Sequence, residues 1–125
     1  MASTKGNVLV VEDDEFISAI YEKKLTTEGY SVRLAKNGEE ALRMMREERP
    51  DVVLLDIIMP IKDGFDTLTE MRADEHLKDI RVAVLSNLSD DREMGRMKEL
   101  HAIDYLVKAN VSVQELAGKV AAYIG

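Results

Sequence analysis

Five short apolar runs recur along this chain, and between them lie stretches with apolar residues three and four apart. That alternation limits its fold more than any other feature. Asn7–Val11, Asp51–Leu55 and Arg81–Leu85 contain nearly unbroken Val, Leu, Ile and Ala, the mark of strands buried on both faces. Ser31–Ala35 and Ile103–Val107 mix polar residues in, which suits the edges of the same sheet. Phe16, Ile17, Ile20, Tyr21 and Leu25 are expected to line the first helix, and Leu42 and Met45 the second. Phe65, Leu68 and Met71 line the third, and Leu116, Val120, Tyr123 and Ile124 the last. Ser112 with Glu115 reads as a capping box, and Asn37 with Glu40 as an Asn-led version of it. Asp63 and Ser89 are the expected N-caps of the third and fourth helices, while Gly29 and Pro50 close the first two. The pattern predicts an α/β fold, (βα)5, with helices on both faces of a parallel sheet. Strand order 2-1-3-4-5 puts both mixed strands at the edges.

The 125 residues predict one domain spanning 1–125, with 1–6 as a flexible N-terminal extension. Absence of cysteine excludes disulfides, zinc–thiolate sites and thiol catalysis, and agrees with a reducing, cytoplasmic location. No apolar run approaches the ~20 residues that span a bilayer, so no membrane partner is expected. A net charge of −7 without a Lys/Arg cluster argues against direct nucleic-acid binding.

Open parallel sheets bind ligands outside the carboxyl ends of their strands. Glu12, Asp13 and Asp14 follow the first run, Asp56 the third, Ser86 and Asn87 the fourth, and Lys108 the fifth. Carboxylates brought together repel one another unless a cation lies among them. Mg²⁺ fits, being hard, oxygen-seeking and commonly bound by one or two carboxylates with phosphate and water. Lys108 and Ser86 add a positive charge and a hydroxyl suited to phosphoryl oxygens. A carboxylate can itself be the covalent acceptor. Taken singly, each residue has a plainer reading: the acidic triplet can cap a helix, and Tyr105 can be an edge-strand aromatic.

The runs Val8–Asp14 (VLVVEDD), Leu54–Gly64 (LLDIIMPIKDG), Val84–Ser86 (VLS) and Asp104–Lys108 (DYLVK) resemble the receiver domain of bacterial two-component response regulators, in order and over essentially the whole chain. The resemblance implies a flavodoxin-like fold of the chemotaxis-regulator type. It implies that Asp56 accepts a phosphoryl group from the phosphohistidine of a sensor histidine kinase or phosphotransfer protein. Mg²⁺ would be held by Asp13, Asp56, the backbone carbonyl of Ile58 and, through water, Glu12. Ser86 and Tyr105 would be the switch pair, altering the face of the fourth helix, fifth strand and fifth helix. That face would serve an output domain, a target protein or a homodimer. The chain is thus expected to be a signalling switch rather than a turnover enzyme. Ile58 and Leu88 fall where the family tunes water attack; both are bulky and apolar, which implies slow self-dephosphorylation.

Two positions depart from the family. Ala109 replaces the proline that usually follows the lysine in a cis bond, leaving either a cis Lys108–Ala109 bond or a trans loop with another route for Lys108. Asn87 replaces a small residue, and either narrows access or adds a donor. Among other functions, a haloacid-dehalogenase-type phosphatase needs a second Asp where Ile58 stands, and a flavin phosphate would be repelled by Glu12-Asp13-Asp14. A receiver-like module that is not phosphorylated remains the alternative.

Overall fold

The computed structural model describes residues 4–87 and 90–124. Strands β1 (Asn7–Val11), β2 (Ser31–Ala35), β3 (Val52–Asp56), β4 (Arg81–Ser86) and β5 (Asp104–Val107) form one parallel sheet in the order β2-β1-β3-β4-β5. Helices α1 (Glu15–Thr27), α2 (Gly38–Glu47), α3 (Gly64–Ala73), α4 (Asp91–Glu99) and α5 (Val113–Ile124) connect or follow them, with a 3₁₀ turn at Lys108–Asn110. The chain therefore has the flavodoxin-like order expected of it, with the mixed strands at the two edges.

Side chains alternate across a strand, and here both sets are buried. Leu9, Val11, Val53, Leu55, Val82 and Val84 pack with Leu42, Met45, Leu68, Met71 and Met97 of α2, α3 and α4. Val8, Val10, Val52, Leu54, Ala83 and Leu85 pack on the other side with Leu25, Leu116 and Val120 of α1 and α5. Two cores sharing one sheet explain why the central runs are continuously apolar.

The helix ends follow their local chemistry. Asn37 Oδ1 accepts from Glu40 N at 2.9 Å and Asp63 Oδ1 from Asp66 N at 2.8 Å. Ser112 and Glu115 close a reciprocal capping box. The expected cap Ser89 lies outside the described residues, and Asp90 caps α4 by accepting from Arg92 N at 2.8 Å. Gly29, with φ +104°, follows α1 in the left-handed region, and His101 adopts φ 60° at the end of α4. Ahead of β1, Lys5 N donates to Gly29 O and Ser31 N donates to Gly6 O, each at 2.9 Å.

The α1 stripe requires correction. Phe16 is 76% exposed and Ile20 38% exposed, whereas Ser18 and Leu25 are buried and Tyr21 is half-buried. The inward face of α1 thus runs 18–21–25, and Ile20 lies roughly 130° around the helix from its centre and Phe16 roughly 170°, on the opposite side. Arg72 is a contact that residue spacing does not announce. From α3 its guanidinium donates to the carbonyls of Lys78 and Ile80, and to those of Leu100 and His101 beyond α4.

Candidate functional site

β1 and β3 are neighbours, with Val11 opposite Leu55, so the residues just past them meet at one end of the sheet. Glu12 and Asp13 follow β1, Asp56 ends β3, Ser86 ends β4 and Lys108 follows β5. One carboxylate oxygen each from Glu12, Asp13 and Asp56 lies within 4.8 Å of the others. Glu12 and Asp56 are buried and Asp13 is exposed. These residues line a cleft of about 240 Å³ together with Ile58, Ser86 and Lys108.

Asp14 has the plainer role. Its Oδ1 accepts from Phe16 N at 2.9 Å and Ile17 N at 3.1 Å, capping α1. A helix start satisfied by the third acid leaves the first two free to face the cleft. The chain therefore separates one capping carboxylate from a pair directed at the site.

No cis bond occurs among the described residues, so Lys108–Ala109 is trans. Lys108 nevertheless reaches the cleft from the start of the 3₁₀ turn. Its Nζ donates to Glu12 Oε2 at 2.5 Å and lies 3.3 Å from Asp56 Oδ1. Burial works against the ammonium, but Glu12 and Asp56 outweigh it and hold Lys108 above its ordinary value. Burial raises the Asp56 carboxyl to about 6, with Glu12 pushing the same way and Lys108 and the Ile57 N–H opposing. Tyr21, on α1, is raised first by burial, and it feels Lys108, Glu12 and Asp56 electrostatically. Sequence spacing gave no hint of that coupling, because Tyr21 reads only as helix filler.

Ser86 is buried at the cleft, while Asn87 is exposed and lines both the cleft and a groove beside Ala109. Tyr105 lies on the far side of β5. It is half-buried, packs on the core beneath α4 and lines a hollow of about 300 Å³ with Met94, Gly95 and Met97. Ile58 is 65% exposed on the β3–α3 loop. Leu88 lies outside the described residues.

Three carboxylates against one ammonium leave two negative charges uncompensated. All the donors are hard oxygens, with no imidazole or thiolate among them. The set fits a divalent oxygen-seeking cation such as Mg²⁺.

A doubly wound α/β domain with an acidic cluster at the carboxyl ends of β1 and β3 is the class of protein defined by this geometry. Comparison gives the family. Residues 8–121 match the response regulator receiver domain, and the chain belongs to that family. It is 44% identical over 123 residues to the transcriptional regulatory protein PrrA of Mycobacterium tuberculosis, covering 97% of this chain and 51% of PrrA. It thus spans about half the length of that curated relative. The signal receiver domain of a signal transduction histidine kinase from Syntrophus aciditrophicus superposes with a TM-score of 0.85 at 31% identity, covering 95% of this chain and 89% of that one. The phosphorylated cyanobacterial phytochrome response regulator RcpA gives 0.80 at 29% identity, covering 94% of this chain and 89% of that one. The chain is accordingly a signalling domain of two-component systems. Among the described residues no helix is long and apolar enough to cross a membrane.

Proposed function

We propose that Asp56 is the phosphoacceptor of this receiver domain and that Mg²⁺ binds beside it at Asp13, Asp56 and the Ile58 carbonyl, with Glu12 acting through water. The observation that carries this reading is the buried Asp56 carboxylate, within 4.8 Å of Glu12 and Asp13 and 3.3 Å from Lys108. An Asp56 oxygen forms the new bond to phosphorus as the bond to the donor breaks, and the bonding pair leaves with the donor. The donor class is a phosphohistidine on a sensor kinase or phosphotransfer protein. Bound Mg²⁺ would neutralise charge on the phosphoryl oxygens. Lys108, now shared between Glu12 and Asp56, turns to a phosphoryl oxygen, and the Ser86 hydroxyl donates to another. Tyr105 has a hollow beside it in which to change position, and the face of α4, β5 and α5 carries the response to an output domain, a target or a second copy. The cell interior is the setting for this chemistry. A bulky Ile58 at the cleft gives no group to orient water, so the acyl phosphate is expected to outlast seconds.

The unphosphorylated-module reading drew support from Ala109. A trans bond that still delivers Lys108 to the cleft weakens that support. Borohydride trapping tests the acceptor, because it reduces an acyl phosphate to the alcohol and marks its position for peptide mapping. A Mg²⁺-dependent mark at Asp56 is expected after incubation with a small phosphodonor. A mark at another carboxylate, with none at Asp56, overturns the assignment.

A further inference from the structure

Between Asp56 and α3 runs a loop held by a residue that the phosphoacceptor chemistry does not use. Ile61 has φ 69° and the Lys62 N–H donates to Pro60 O at 2.7 Å. This i to i+2 bond around a left-handed β-branched residue is a strained arrangement that its surroundings must enforce. Lys62 supplies the enforcement from both ends. Its carbonyl accepts from Gly38 N, the first residue of α2, at 2.9 Å. Its ammonium pairs with Glu39 of α2 at 3.5 Å and with Glu70 of α3. A Cβ on Gly38 would come within 2.8 Å of the Lys62 carbonyl oxygen and would overlap the Thr67 hydroxyl. Only glycine lets α2 approach this closely. At the other end of the loop, Gly64 N donates to Ile57 O at 2.7 Å.

We propose that Lys62, seated against Gly38 and bridging Glu39 to Glu70, is a positioning residue that fixes the β3–α3 loop and so the Ile58 carbonyl offered to the metal. The inference rests on the Mg²⁺ site proposed above. It makes α2 part of the support of a site that α2 does not line. Lys62 acts through the backbone and touches no reacting atom.

Charge alone would give the opposite sign, which makes the idea testable. Removing a cation near an acidic site strengthens divalent binding by simple electrostatics, whereas releasing a misplaced ligand loop weakens it. Mg²⁺ itself is the probe, titrated by calorimetry into the whole chain and its Lys62→Met, Lys62→Arg, Gly38→Ala and Asp13→Asn variants. Amide hydrogen exchange without Mg²⁺ is recorded in parallel. Lys62→Met is expected to weaken Mg²⁺ by about tenfold, the low end for loss of an outer-shell support, and to speed exchange at Lys62 and Gly64. Lys62→Arg, keeping the charge and the reach, is expected to restore most of the affinity. Gly38→Ala should resemble Lys62→Met, and because it alone crowds the buried Thr67, Lys62→Met decides if Gly38→Ala fails to fold. Unchanged or tighter binding by Lys62→Met, while wild type binds and Asp13→Asn does not, overturns the positioning role and leaves the Mg²⁺ site standing. Wild type that binds no better than Asp13→Asn overturns both.

Discussion

Two corners of the same domain are built to opposite specifications. Around Asp56 the backbone is pinned: β3 is fully buried, Gly64 packs against the Asp56 carbonyl, and Lys62 ties the following loop to two helices. Around α4 little is pinned. Met97 is its one buried residue among those described, and Arg96 stacks over the Phe65 ring at 3.6 Å. Gly95 faces open space, and a hollow beside Tyr105 runs under the helix. Chemistry that depends on oxygen positions needs the first corner to hold still. In the function proposed above, a response read by a partner would draw on the second corner, since elements that move come from the weakly held parts of a fold.

The comparison breaks most severely at Gly64. Alanine there forces its Cβ into the Asp56 carbonyl and within 2.8 Å of Ile57 Cα. A loss of more than about 4 kcal/mol is expected in urea unfolding; a loss near zero would mean the corner is not rigid. Met97→Ala removes the one buried side chain of α4 among the described residues and should cost about 2–5 kcal/mol, with hydrogen exchange accelerated in α4 well before β3.

Asp56→Asn should stabilise the apo fold at high pH. The Asp56 carboxyl is raised from 3.8 to about 6, so the folded state holds a proton that the unfolded state has released. Wild-type stability therefore falls as pH rises from about 4 to about 6, and stays low above that. The gain on Asp56→Asn is complete above pH ~6, on the order of 2–3 kcal/mol at ~1.4 kcal/mol per unit, and vanishes as pH falls through ~4. Melting curves at the two extremes in Mg²⁺-free buffer check it; a gain independent of pH would remove charge burial as its cause. The smallest effect is at Gly95. No atom lies within 4 Å of an added Cβ, so Gly95→Ala should stabilise α4 by ~1 kcal/mol. A destabilised variant would show that close packing, and not a softened helix, accounts for the glycine.

How much of this was legible in the sequence depended on whether a signal was local. The strands, their order and the convergence of Glu12, Asp13, Asp56, Ser86 and Lys108 could be read because burial on both faces writes continuous apolar runs. Capping chemistry marked Asn37, Asp63 and Ser112 for the same reason. The facing of α1 was misread, since Phe16 and Ile20 share a helical period with Ile17 and Tyr21 and differ only in phase. Arg72 is silent because its partners are backbone carbonyls, which no residue identity records, and Lys62 because its carboxylate partners Glu39 and Glu70 sit on two other elements. The close approach at Gly38 is equally silent: glycine at a helix start reads as an ordinary neighbour of the cap. The Lys108 route without proline also needed the structure, because the outcome turns on a single peptide's geometry.

The most direct test of Asp56 as acceptor is the intact mass of the protein after incubation with phosphoramidate, with and without Mg²⁺, for wild type and Asp56→Asn. One added phosphoryl mass that requires Mg²⁺ and is absent from Asp56→Asn is the expected result. Equal gain by Asp56→Asn, or gain that ignores Mg²⁺, would contradict it.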